Sequence, residues 1–90
     1  MPVEVYLPPS MQIQASGLRQ LSVNGNTLGE CLNQLILLHP SVKEAIFGPN
    51  QTLNKKLSFY VNAENAYPEM LKKAVRDGDR LYIMDILVGG

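Results

Sequence analysis

Three places in this sequence carry groups that could do chemistry: Cys31, His39 and the C-terminal run Asp85-Ile86-Leu87-Val88-Gly89-Gly90. A lone cysteine is a nucleophile only when its thiolate is stabilised. Cys31 stands one helical turn from both Leu28 and Leu35 on an apolar stripe, a setting that raises a thiol's pKa and leaves it inert. A core role is therefore expected. His39 sits where that stripe ends and would meet the negative end of a helix dipole. With no acidic or nucleophilic partner legible for it, capping is expected rather than catalysis. A single cysteine excludes an internal disulfide and a thiolate-rich zinc site, and a single histidine excludes a His-cluster metal site and most triad chemistry.

The C-terminal run differs in kind. A frayed terminus is usually polar, whereas this one carries the consecutive branched aliphatics Ile86, Leu87 and Val88 before Gly89-Gly90. A Gly-Gly end leaves a main-chain carboxylate unencumbered by side chains. Such an end suits threading a narrow channel in a partner and presenting the carboxylate for attack. Fully extended, residues 85–90 reach about 20 Å. The competing reading is a frayed end on which the Gly-Gly pair arose by chance.

The rest of the chain must position these groups, and its composition limits how. Ninety residues make one domain. With 46% apolar and 18% charged residues the balance is that of a compact domain. Lys plus Arg number 8 and Asp plus Glu number 8, for a formal net charge of zero. Neutralising phosphates needs a clustered basic surplus, and the densest basic stretch, Lys72, Lys73, Arg76 and Arg80, is interrupted by Asp77 and Asp79. Nucleic acid is not an expected partner. The apolar run 35–38 is far short of the roughly 20 residues a bilayer span needs. The start Met1-Pro2-Val3-Glu4 lacks the basic and apolar regions of a signal peptide. A cytoplasmic protein with no membrane association is expected.

Val3, Val5 and Leu7 alternate with Glu4 and Tyr6, marking a half-buried strand that Pro8-Pro9-Ser10 ends. Residues 10–19 read as a loop with a turn at Ser16-Gly17. Leu21 and Val23 make a second short strand, closed by Asn24-Gly25-Asn26, and the two strands suggest a hairpin. Thr27-Leu28-Gly29-Glu30 is a capping box opening a helix over 27–38, with Leu28, Cys31, Leu32, Leu35 and Ile36 on one face and Leu37 partly off it. His39-Pro40 stops that helix. Ser41-Val42-Lys43-Glu44 repeats the capping pattern for a short helix closed by Gly48-Pro49. Leu57, Phe59 and Val61 predict a third strand, residues 68–75 a short helix with Met70, Leu71 and Ala74 inward, and residues 81–84 a last strand after the Asp77-Gly78-Asp79 turn. The order ββαβ(α)β predicts an α+β sheet covered on one face by a single main helix.

The run 77–83 (Asp-Gly-Asp-Arg-Leu-Tyr-Ile), with the apolar stretch and Gly89-Gly90 after it, resembles the ubiquitin-like sulfur carriers. These include the small subunit of molybdopterin synthase, the thiamine sulfur carrier and the carriers of cysteine and methionine biosynthesis. Residues 24–30 look like the family's lead into its main helix, His39-Pro40 like the helix exit, and Phe59-Tyr60-Val61-Asn62 like its third strand. The resemblance covers nearly the whole chain, with two departures. Asp85-Ile86-Leu87-Val88 replaces the usual prolines and alanines before Gly-Gly, and residues 64–73 carry Tyr67-Pro68 and a helical-looking run.

The resemblance implies a β-grasp fold with a mixed sheet of about four strands over residues 1–84, and a flexible Gly-Gly tail over residues 85–90. It further implies a carrier, not an enzyme. An E1-like adenylating enzyme would use ATP to adenylate Gly90, and a sulfur donor would convert the adenylate to a thiocarboxylate. A sulfur-accepting enzyme or the large subunit of a synthase would then receive the sulfur, in molybdopterin-type cofactor or amino-acid biosynthesis. No cofactor or metal is expected on the carrier itself. Gly89, Ile86, Leu87 and Val88 would enter the partner. In the implied strand order Tyr6, Tyr60, Tyr82 and Met84 form one aromatic patch on the open face of the sheet, expected to dock a partner. Two alternatives share these residues: a protein modifier joined through Gly90 to lysine, and a β-grasp binding module whose terminus is never activated.

Overall fold

The computed structural model describes residues 2–86. Five strands form one sheet: β1 (Val3–Tyr6), β2 (Gln20–Val23), β3 (Leu57–Val61), β4 (Glu64–Asn65) and β5 (Arg80–Asp85), in the order β2-β1-β5-β3-β4. β1 and β5 run parallel at the centre, and the other pairs are antiparallel. The alternation read in the sequence decides the faces. Val3, Val5, Val23, Phe59, Val61, Leu81 and Ile83 are buried on one side, and the residues between them face out. The two-residue β4 brings the sheet to five strands where about four were expected. It has no alternation to read, and both its residues are exposed.

Three α-helices lie among the described residues, α1 (Pro9–Gln12), α2 (Leu28–Leu38) and α3 (Lys43–Ile46). α2 sets Leu28, Cys31, Leu32 and Leu35 into the same buried cluster as the strand residues, and Leu37 is 74% exposed off that face. Its start follows the capping box. The Glu30 N–H donates to Thr27 Oγ1 at 3.1 Å, while Glu30 Oε1 accepts from the Asn26 N–H at 2.9 Å. Helix starts leave amide donors unpaired, and here the Leu28 N–H finds the Lys73 carbonyl at 2.9 Å. His39 follows α2 as its C-cap residue.

Four expectations are corrected. Residues 10–19 are not all loop: Pro9 occupies the first turn of α1, where its fixed φ and missing N–H suit a helix start, and Met11 and Ala15 enter the core. Ser41 caps no helix, because Pro40 has already begun a 3₁₀ turn, 40–42, that runs into α3 with no side-chain cap. Residues 68–75 hold only a 3₁₀ turn at Met70–Lys72, and Ala74 is exposed. The backbone that would continue that helix instead pairs with the start of α2, with Ala74 bridging Thr27 and the Val75 N–H donating to the Asn26 carbonyl. The last strand also runs one residue past the expected boundary at 84, since Asp85 pairs with Leu57.

Candidate functional site

The open face of the sheet carries one transverse row of tyrosines. Tyr6 on β1 is in register with Tyr82 on β5, and Tyr82 with Tyr60 on β3. The Tyr6 and Tyr82 rings stack with centroids 4.8 Å apart and planes 14° from parallel, a spacing at which an aromatic pair adds to its area burial. The next row toward the C-terminus pairs Met84 with Ser58. Met84 is 50% exposed and Ile86 45% exposed. By strand parity, Tyr82, Met84 and Ile86 continue along one side of the chain up to the last described residue. A shallow groove of about 420 Å³ runs beside them, floored by Tyr6, Pro8, Pro9, Tyr82 and Met84.

Charge frames the other end of the row. Glu4 and Arg80 are register partners on β1 and β5. Gln20 Nε2 donates to Glu4 at 3.1 Å and Ser22 Oγ donates to it at 2.8 Å, and these two bonds hold the Glu4 carboxyl below its ordinary pKa. The Arg80 guanidinium has its pKa pushed up, first by the Tyr82 hydroxyl beside it. The face is thus apolar and aromatic at its Met84 end, and polar at the other, where Glu4 and Arg80 stand opposite each other.

Other chemistry is sparse among the described residues. Cys31 has 0% exposure, and burial, with the Glu30 charge behind it, pushes its thiol up to about 11. This agrees with the core role expected of it. A larger concave region of about 700 Å³ lies between the β3–β4 turn and the segment before β5. Its groups pair among themselves, Lys73 Nζ lying 2.7 Å from Glu64 and 3.3 Å from Glu69. The Asp79 carboxyl there accepts from the Arg76 backbone and the Asn62 amide, which lower its pKa. That network ties loops together at the end of β5 opposite the tail. Among the described residues no group of three His, Cys, Asp or Glu could hold a metal ion, and no helix is long and apolar enough to cross a membrane.

The structure thus brings Tyr6, Tyr60, Tyr82 and Met84 to one face, with Ile86 exposed just past the end of β5. Leu87, Val88, Gly89 and Gly90 lie outside the described residues. One contact near the exit of β5 has no local signal in the sequence. Asp85 accepts from both the backbone N–H and the hydroxyl of Ser10, 75 residues away in sequence.

A five-stranded mixed sheet clasping one main helix defines a β-grasp domain of the ubiquitin-like class. The chain belongs to the ThiS family, which residues 11–90 match. It is 28% identical over 93 residues to the sulfur carrier protein CysO of Mycobacterium tuberculosis, the match covering 100% of both chains. A chain of the Amycolatopsis orientalis BexX/CysO complex superposes with a TM-score of 0.86 at 27% identity, covering 98% of this chain and 99% of that one. SAMP1 of Haloferax volcanii superposes with a TM-score of 0.85 at 27% identity over 100% of both chains.

Proposed function

We propose that this protein is a sulfur carrier, a co-substrate rather than an enzyme, whose reacting group is the Gly90 carboxylate. The observation that carries the reading is the ThiS match running through residue 90, together with full-length similarity to a protein named as a sulfur carrier. A carboxylate is a poor electrophile. Attack of one Gly90 oxygen on the α-phosphorus of ATP, with loss of pyrophosphate, makes an acyl adenylate. A hydrosulfide or persulfide sulfur then attacks the acyl carbon and AMP leaves, and with hydrosulfide the product is a thiocarboxylate. An E1-like enzyme supplies the ATP site. A second enzyme of cofactor or amino-acid biosynthesis takes the sulfur.

The open-face row supplies docking. Tyr6, Tyr60 and Tyr82 present rigid aromatic area, and Met84 and Ile86 extend it toward the tail. Aromatic side chains at the centre of a desolvated patch dominate many interfaces. Burying Ile86, Leu87 and Val88 in a partner channel contributes about 5–8 kcal/mol gross, and ordering the tail offsets a good part of it. That balance suits a carrier that must leave one enzyme for the next. The test is ATP–pyrophosphate exchange with the cognate adenylating enzyme. Exchange should depend on the carrier and vanish when Gly90 is deleted, and exchange indifferent to Gly90 would refute the reading.

A second reading is favoured by one observation, the match to SAMP1, described as a small archaeal modifier protein. The same adenylate can be captured by a lysine amine instead of sulfur. Lysine conjugates of this chain in a lysate of its source cells would establish that use.

A further inference from the structure

Asp85 closes the inward-facing row of β5, after Leu81 and Ile83, yet it is a carboxylate where that row is otherwise apolar. It does not enter the core. It turns to α1 and accepts both the Ser10 N–H, at 3.3 Å, and the Ser10 hydroxyl. The next residue is held from the opposite side, the Ile86 N–H donating to the Lys56 carbonyl at 2.8 Å. Two tethers on consecutive residues therefore pin the chain between α1 and the start of β3. Neither is needed to anchor the strand, because Leu81 and Ile83, 0% and 2% exposed, already do so. Both Ser10 bonds are solvent-exposed, where hydrogen bonds and charges contribute little to global stability.

We propose that Ser10 and Asp85 are positioning residues for the reaction at Gly90: they fix where the strand stops and the tail starts. The proposal rests on the sulfur-carrier reading for its functional half. With both tethers closed, the chain past Ile86 is residues 87–90, an extended reach of about 14 Å. With the Ile86 bond open, the reach starts at Asp85, which stays paired with Leu57 in β5, and lengthens by about 3.5 Å. A partner whose adenylating centre lies at a set depth below its docking face would meet Ile86 already placed. A chain free at Ile86 has one more residue to order during docking, so the loss falls on KM for the carrier and not on kcat once the chain is seated.

The experiment compares the wild-type chain with D85A, S10A and the conservative D85N, which keeps one acceptor oxygen for Ser10. In the free protein, Ile86 amide exchange measured by NMR should quicken by about fivefold or more in D85A and S10A and stay near wild type in D85N. In carrier-dependent ATP–pyrophosphate exchange, D85A and S10A should raise KM by about three- to tenfold with kcat unchanged, and D85N should restore most of it. An unchanged Ile86 amide in both alanine variants overturns the tether. A quickened amide with unchanged KM overturns its role in the reaction, as does a fall in kcat alone. A large loss of melting temperature in both alanine variants assigns the pair to folding instead. If the wild-type chain itself supports no exchange with a competent enzyme, the sulfur-carrier reading fails, and the tether then stands or falls on Ile86.

Discussion

A protein proposed to carry sulfur on a carboxylate also holds one thiol, and the two must be told apart. Cys31 is fully buried, and its thiol is pushed from an ordinary value of 9.0 to about 11. At pH 8 that shift alone lowers the thiolate fraction about 100-fold. Closure adds to it, because a reagent must wait for the site to open. Labelling by a disulfide reagent at pH 8 should therefore run at least about 100-fold slower in the native chain than in urea. The same shift makes a linkage statement. The unfolded chain loses its Cys31 proton first as pH rises, so the contribution to stability is full below 9.0 and disappears as pH climbs to about 11. It amounts to about 2–3 kcal/mol. Taking the wild-type stability minus that of C31A across this window cancels the titration of lysines and tyrosines. C31A itself should cost about 1 kcal/mol near neutral pH and leave sulfur loading intact. Native labelling within tenfold of the unfolded rate, or loss of loading in C31A, would refute the reasoning and move the sulfur chemistry to the thiol.

The double variant Y60S/Y82S should weaken binding to the adenylating or accepting enzyme by more than about 1 kcal/mol in a calorimetric titration, and unchanged affinity would leave the tyrosines to strand formation alone. G25A should lower the urea midpoint by an amount equivalent to about 1–3 kcal/mol, because an added Cβ would lie 2.9 Å from both the Cys31 nitrogen and its sulfur. A midpoint within error of wild type would mean that the start of α2 shifts freely.

What could be read from the sequence was whatever is recorded locally. Thr27 and Glu30 announce the start of α2, and Leu28, Cys31, Leu32 and Leu35 repeat at the helical period, so the helix is legible without any partner. Strand parity likewise separates Val5, Phe59 and Leu81 from Tyr6, Tyr60 and Tyr82, and the family resemblance supplies the order that puts the tyrosines in one row. α1 was within reach. Pro9 ends a strand, but proline also opens helices, and Met11 and Ala15 lie four apart. Residues 73–75 were not within reach, because their helical apolar spacing is overridden by hydrogen bonds to Asn26 and Leu28, distant in the chain. Gly25 sits in a turn-like Asn-Gly-Asn run, yet its smallness serves the close approach of Cys31. The Ser10–Asp85 contact joins residues whose types are unremarkable and whose proximity exists only once β5 lies beside β1.

The most direct test of the sulfur-carrier reading is intact-mass spectrometry after incubation with the cognate adenylating enzyme, ATP and a sulfur donor. The expected result is exchange of one oxygen for one sulfur. Oxidation of Met1, Met11, Met70 or Met84 adds nearly the same mass, so the change must be placed by fragment ions that exclude Met84 and contain residues 86–90. Sulfur found in those fragments, and absent when Gly90 is deleted, is the outcome the reading requires. No mass change with a competent enzyme present, or sulfur found on Cys31, would contradict it.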